Sequence, residues 1–198
     1  MLAGVIVGGA TPHSLRALAV PSGATWNLSD DLATNAKGAH TSAFADAYGN
    51  AGVWSMLGSA TTARTPGTYR ELPVYEAAPC GGTSTGLPRW TTGSTGPETM
   101  INLTPATING LACAPNVKLV PAVAHAHPGP SSSAIYAWKS PIAGTVSITG
   151  GMSDADCGGG NGVTWFIDLG SSNIASTFND FATKSVNLIS GHSSKVII

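Results

Sequence analysis

The stretch that decides the fold is "GTVSITGGMSDADCGGGNGVTWFIDLG", Gly144 to Gly170. In its first part Val146 and Ile148 alternate with Thr145, Ser147 and Thr149, and in its last part Val163, Trp165 and Ile167 alternate with Thr164, Phe166 and Asp168. Side chains of a strand point to opposite faces in turn, so this period of two describes strands with one packed and one wetter face. The spacing predicts strands at 144–149 and 163–168 in an antiparallel sheet that packs one face on a core.

The text between those strands, "SDADCGGGN", admits two readings. Asp154, Asp156 and Asn161 offer oxygen ligands and the glycines free the backbone to turn inward, which suits a hard cation such as Ca²⁺. The spacing is not that of an EF-hand, because Gly158 stands at the fifth position from Asp154 and Trp165 at the twelfth. The other reading is a hairpin turn in which Asp and Gly supply only turn geometry.

Outward from this stretch the same text repeats. Further strand-like runs fall at 25–28, 53–57, 70–75, 100–103, 118–123 and 134–139, with fainter ones at 185–189 and 195–198. Clusters of Gly, Pro, Ser, Thr and Asn punctuate them, as in sandwiches and barrels. "TSAFADAYGNAGVWSM" has some helical spacing up to Tyr48, but Gly49, Asn50 and Gly52 break it, so it reads as irregular chain leading into a strand. Residues 81–97, "GGTSTGLPRWTTGSTGP", read as a Gly/Thr/Ser-rich insertion within one domain.

The chain has 198 residues, enough for one β-rich domain with a real core. Only 10% of residues are charged, against roughly 25% in an average soluble protein. The nine Lys and Arg are scattered singly and the formal net charge is −1, so there is no basic stripe for nucleic acid. An apolar stretch from Leu2 to Ala10 and small residues at Ala17 and Ala19 read residues 1–19 as a signal peptide or its remnant, cut before Val20. No later segment approaches the roughly 20 apolar residues of a membrane span, so a mature chain beginning there is expected to be soluble. Cys80, Cys113 and Cys157 match no zinc spacing. In an exported chain they read as one disulfide and one spare thiol, Cys80 with Cys113 being the preferred pair because both sit in loop-like text.

Residues Trp138, Pro141, Gly144 and Val146, followed by "SDADCGGGNGVTWFI", resemble a phrase of secreted bacterial jelly-roll β-sandwiches of the galactose-binding-like type. "WNLSDDLAT" (26–34) and "NAGVWSMLG" (50–58) resemble the opening of the same modules, with Met56 and Leu57 standing where those carry tyrosine. The resemblance spans roughly residues 26–174 and implies an all-β, antiparallel jelly-roll sandwich of one domain, exported to an extracellular surface. It implies a carbohydrate-binding-module-like role with a glycan as ligand.

Aromatic side chains stack on sugar rings, and Trp54, Tyr69, Tyr75 and Trp90 fall in loop or strand-end text, whereas Trp138 and Trp165 fall inside alternating strands and read as core. Trp90, in the polar insertion beside Arg89, is the first choice for a ligand-facing ring. Two other patterns carry chemistry. His125 and His127 share one face if that segment is a strand, as metal-binding pairs on sheets do, yet Pro128 and Pro130 mark a strand exit and favour two surface residues. Gly82-Thr83-Ser84-Thr85-Gly86 has the Gly-x-Ser-x-Gly form of a nucleophile elbow, but that motif needs a strand before it and a helix after it, and "LPRWTTGSTGP" cannot be a helix.

The sequence therefore reads as a non-catalytic extracellular binding module without cofactor chemistry, beyond a candidate structural Ca²⁺. The alternatives are a structural or self-assembling extracellular protein, with homo-oligomers as its product, and a hydrolase built on Ser84 or the histidine pair.

Overall fold

The computed structural model describes residues 20–93, 95–156, 158, 164–169, 172–178, 181–188 and 193–197. The signal-peptide reading of residues 1–19 lies outside the described residues, as do Cys157 and Asn161. The fold is all-β: antiparallel strands make up most of it, with one regular helix, α1 (Leu28–Lys37).

The strands are β1 (Ala43–Phe44), β2 (Trp54–Gly58), β3 (Arg70–Glu71), β4 (Val74–Glu76), β5 (Arg89–Thr91), β6 (Glu98–Ile101), β7 (Ile108–Leu111) and β8 (Ala114–Leu119). They continue with β9 (Ala124–His127), β10 (Ala134–Lys139), β11 (Gly144–Gly151), β12 (Thr164–Leu169), β13 (Ser172–Phe178), β14 (Phe181–Leu188) and β15 (Ser193–Ile197). A larger sheet runs β1-β2-β10-β15-β12-β13, with β3 also paired to β2. A smaller sheet runs β4-β5-β6-β9, and the pairs β7-β8 and β11-β14 stand beside these two.

The two sheets form a sandwich-like core. In the larger one, Trp54 and Met56 of β2 lie opposite Trp138 and Tyr136 of β10. They share one buried cluster with Trp90 of β5 and Ile101 of β6, against which Ala124 and Ala126 of β9 pack. The Tyr136 hydroxyl donates to the His125 carbonyl at 2.6 Å, a bond from one sheet to the other. On the opposite face of the larger sheet, Leu57, Ile135 and Phe166 form a second cluster, closed over by Tyr69.

The strand expected at 25–28 is absent: residues 25–27 are irregular chain and helix α1 begins at Leu28. Asn27 caps it, its side chain accepting from the Ser29 and Asp30 N–H groups; Asp30 and Asp31 occupy the first turn and Lys37 the last, as the helix dipole favours. Its apolar stripe is thin, Leu28, Leu32 and Ala36 at four-residue spacing, and these residues close one side of the main core. The hydroxyl of Ser29 accepts from the Ala124 N–H at 3.0 Å and ties the helix to β9.

The β7-β8 hairpin covers the outer face of the smaller sheet through Leu87, Met100 and Leu119. Cys80 and Cys113 form a disulfide, Cα–Cα 5.3 Å, which fastens the turn at Pro79–Gly82 to the tip of that hairpin. Among the described residues, no helix is long and apolar enough to cross a membrane.

The strands at 144–149 and 163–168 exist as expected, but they do not pair with each other. β11 pairs with β14, whereas β12 pairs with β13 and β15. The acidic text between them, part of which lies outside the described residues, joins strands of two different sheets. The segment 81–97 also differs from an insertion, because Arg89–Thr91 is an inner strand of the smaller sheet, paired on both sides.

Candidate binding groove

One edge of β2 is occupied by two short strands set end to end. β1 pairs through Ala43 with Ser55, and β3 pairs through Glu71 with Leu57. Between them Met56 alone bridges the two, its N–H donating to the Ser42 carbonyl at 2.7 Å and its carbonyl accepting from the Leu72 N–H at 3.1 Å. Pro73 follows at once, has no N–H to continue a ladder, and the chain crosses to β4 of the other sheet.

An open groove of about 510 Å³ lies over this junction, lined by His40, Ser42, Glu71, Leu72, Pro73 and Trp90 among others. The Ser42 hydroxyl donates to the Glu71 carboxylate at 2.7 Å. Glu71 is exposed. Arg70, its neighbour in sequence, donates to the carbonyls of Gly67 (3.1 Å) and Tyr69 (2.8 Å) and is committed to its own loop.

Two of the lining residues, His40 and Trp90, pack with Tyr75 in an aromatic group. His40 sits just past the end of α1 with φ of 57°, a left-handed conformation uncommon for a residue with a side chain. Its ring stacks on Tyr75 with centroids 4.3 Å apart and planes within 6°. Tyr75 in turn packs at a tilt on Trp90, 5.3 Å away. The Trp90 indole N–H donates to the His40 carbonyl at 3.0 Å, so the buried ring holds the strained residue in place. Burial raises the pKa of the Tyr75 hydroxyl.

Of the four expected aromatic residues, Trp90 lines the groove, Tyr75 packs against His40 and Trp90 without being among the lining residues, and the other two lie elsewhere. Trp90 is only 1% exposed, so it is a floor and not the open platform expected of it. The reason is strand alternation: within β5, Trp90 faces the core, while Arg89 faces outward and bridges Glu76 and Glu98. Trp54 lies in the core with its N–H on Asp31, and Tyr69 is buried on the opposite face of the larger sheet.

The remaining expected site residues are not in the lining of the groove. Asp154 accepts the Asp156 N–H at 2.9 Å and Asp156 accepts the Gly158 N–H at 3.0 Å, two successive turns in which each carboxylate caps the backbone two residues on. Lys118 donates its N–H to the Ala155 carbonyl at 2.7 Å, which lays this segment along β8. Among the described residues, no three His, Cys, Asp or Glu side chains converge.

His125 and His127 do lie on one face of β9, opposite Met100 and Glu98. His125 Nε2 stands 3.2 Å from the Val120 carbonyl, and burial lowers the pKa of this imidazole despite that bond. Ser84 is buried and follows the Pro79–Gly82 turn, its N–H on the Pro79 carbonyl; the next regular element is strand β5. That is not the strand–serine–helix arrangement of a nucleophile elbow.

His40, Ser42 and Glu71 were not singled out by sequence. The available signals were weak: a histidine in "GAHTS" just past a capped helix, and an acidic residue just before Leu72-Pro73 at a strand end.

No family model, curated protein or solved structure matches the chain.

Proposed function

We propose that this protein is a non-catalytic binding module, a single jelly-roll domain of galactose-binding-like type that works outside the cell, and that its ligand is a glycan. The observation that carries the reading is an open groove lined by the exposed His40, whose ring stacks on Tyr75, and by the Ser42–Glu71 pair. Flat rings beside a carboxylate and a hydroxyl suit a pyranose, which has apolar C–H faces and a rim of hydroxyl donors. The Cys80–Cys113 disulfide supports an oxidising compartment and so the exported location.

The test is a glycan array followed by titration calorimetry, with His40→Ala and Glu71→Gln as variants whose folding is checked by thermal unfolding. The expected result is binding of at least one oligosaccharide, weakened about tenfold or more by each substitution, which is the loss of one stacking contact or one charge-assisted hydrogen bond. Flat responses on all glycans would defeat the reading.

One observation favours a second reading, self-assembly. β11 is eight residues long and pairs with β14, and its side chains are exposed or half-exposed throughout. Long uncovered strands invite pairing with another copy. Sedimentation showing ordered polymers at micromolar concentration would favour that reading over the glycan module.

A further inference from the structure

We infer that the groove selects a cationic amino sugar, an unsubstituted hexosamine within an oligosaccharide, over neutral, N-acylated or acidic sugars. This rests on the glycan reading above and goes further by naming the sugar class. The groove's lining contains a carboxylate and no Lys or Arg among the described residues. The cation nearest in sequence, Arg70, is held on the Gly67 and Tyr69 carbonyls of its own loop. The Trp90 indole N–H, a donor that reaches this region, is spent on the His40 carbonyl.

What the groove offers a ligand is therefore weighted to acceptors. A uronate or a sulfated sugar would bring its own negative charge to Glu71 with no Lys or Arg in the lining to offset it, which is repulsive. A protonated amine would instead make a charge-assisted hydrogen bond to the carboxylate, stronger than the neutral bond of a hydroxyl or an amide. The Ser42 hydroxyl, donating to Glu71 Oε2, orients that carboxylate from one side. A lysine side chain carries the same cation, but it is a thin flexible chain. The open groove, with the flat His40 ring in its lining and the Trp90 indole beneath, fits a ring-shaped ligand better.

The experiment is calorimetry on the full chain at a pH where the sugar amine is protonated. It uses four trisaccharides (β-1,4-linked glucosamine, N-acetylglucosamine, glucose and galacturonate) and a trilysine peptide. The amine trimer is expected to bind about tenfold more tightly than the N-acetyl and glucose trimers, the difference one charge-assisted bond supplies, and the galacturonate trimer to bind least. In Glu71→Gln, with thermal unfolding unchanged, the ratio of amine to neutral affinity should fall to within about twofold. Raising salt should narrow the same ratio in the wild type.

Equal affinity for amine and neutral trimers, or an advantage that survives Glu71→Gln, overturns the amino-sugar assignment while leaving the glycan reading standing. Trilysine binding as tightly as the amine trimer overturns the assignment in favour of a basic peptide. Binding of none of the oligosaccharides defeats both.

Discussion

The indole N–H of Trp54 donates to the carboxylate of Asp31 at 2.7 Å, and both residues are buried between helix and sheet. A second pair repeats the arrangement, Trp26 donating to Asp46 at 2.8 Å, with Asp46 also accepting from the Tyr48 and Asn50 backbone. Asp31 thus locks α1 to β2, and Asp46 ties the 46–50 turn to the segment that precedes α1. Losing the indole while the carboxylate stays buried should cost about 2–4 kcal/mol, so Trp54→Phe is expected to lower stability by that much in urea unfolding. A loss under about 1 kcal/mol would show that the bond is not structural.

Asp31 also predicts a pH dependence. Burial raises its pKa, the bond from Trp54 opposes this, and the neighbouring charge of Asp46 adds to it. The folded state therefore holds this proton more tightly than the unfolded chain, and the contribution of Asp31 is largest below the ordinary value of 3.8. It falls as pH rises through the raised folded value. Asp31→Asn cannot titrate, so its melting temperature relative to wild type should climb between about pH 4 and about pH 7. A difference that stays constant across that range would contradict the assignment.

The Cys80–Cys113 bridge closes a sequence separation of 33 residues. On the chain-entropy account, closing a loop of that length stabilises the fold by about 3–4 kcal/mol. The Cys80→Ser, Cys113→Ser double variant should lose stability of that order in urea, and adding reductant to the wild type should reproduce the loss. Wild type unaffected by reductant under conditions that remove the bridge would mean that the hairpin is held by Leu87, Met100 and Leu119 alone.

On the far face of the larger sheet, the Arg64 guanidinium donates to Asp168 at 2.7 Å and lies 4.0 Å over the Phe166 ring. The Asp168 side chain is 3% exposed and that of Arg64 31%, so the carboxylate is the more desolvated partner. Arg64→Ala removes the cation from a buried carboxylate and should cost about 2–3 kcal/mol, toward the lower end of the range for buried pairs because Arg64 is partly solvated. Arg64→Lys should recover only part of it, since an ammonium does not stack on Phe166 as a planar guanidinium does. Equal stability of Arg64→Ala and wild type would refute a structural role for the pair.

How much of this was legible in the sequence follows from the range of each signal. The period of two in "GTVSIT" and "TWFID" reports which face of a strand is buried, and those strands are present. It says nothing of the partner, and the partners β13, β14 and β15 are text with weak alternation further along the chain. Helix α1 was missed, a strand being expected at 25–28: Asn27, the acidic first turn and Lys37 are capping signals, but a stripe of only Leu28, Leu32 and Ala36 does not announce a helix. Trp90 looked exposed because its neighbours in sequence are polar; its neighbours in space are Tyr75 and the core. The groove draws His40 and Ser42, Glu71, and Trp90 from three separate segments, so no local pattern contains it.

His125 supplies the counterpart to Asp31. Its ring lies on the outer face of β9 against Met100, its Nε2 faces the Val120 carbonyl, and burial lowers its pKa from 6.5. The folded state resists protonation that the unfolded chain accepts, so stability held above about pH 6.5 is lost as pH falls through the lowered folded value. Acidification thus acts in opposite senses at the two residues, weakening the fold through His125 and strengthening it through Asp31. The wild-type slope below about pH 6.5 is a difference of the two. His125→Gln keeps a donor for the Val120 carbonyl and removes the titration. Its melting temperature relative to wild type should therefore rise as pH falls, the mirror image of Asp31→Asn, whose relative value should fall. If both variants shift in the same direction with pH, the one that departs from its stated direction marks the burial argument that is wrong.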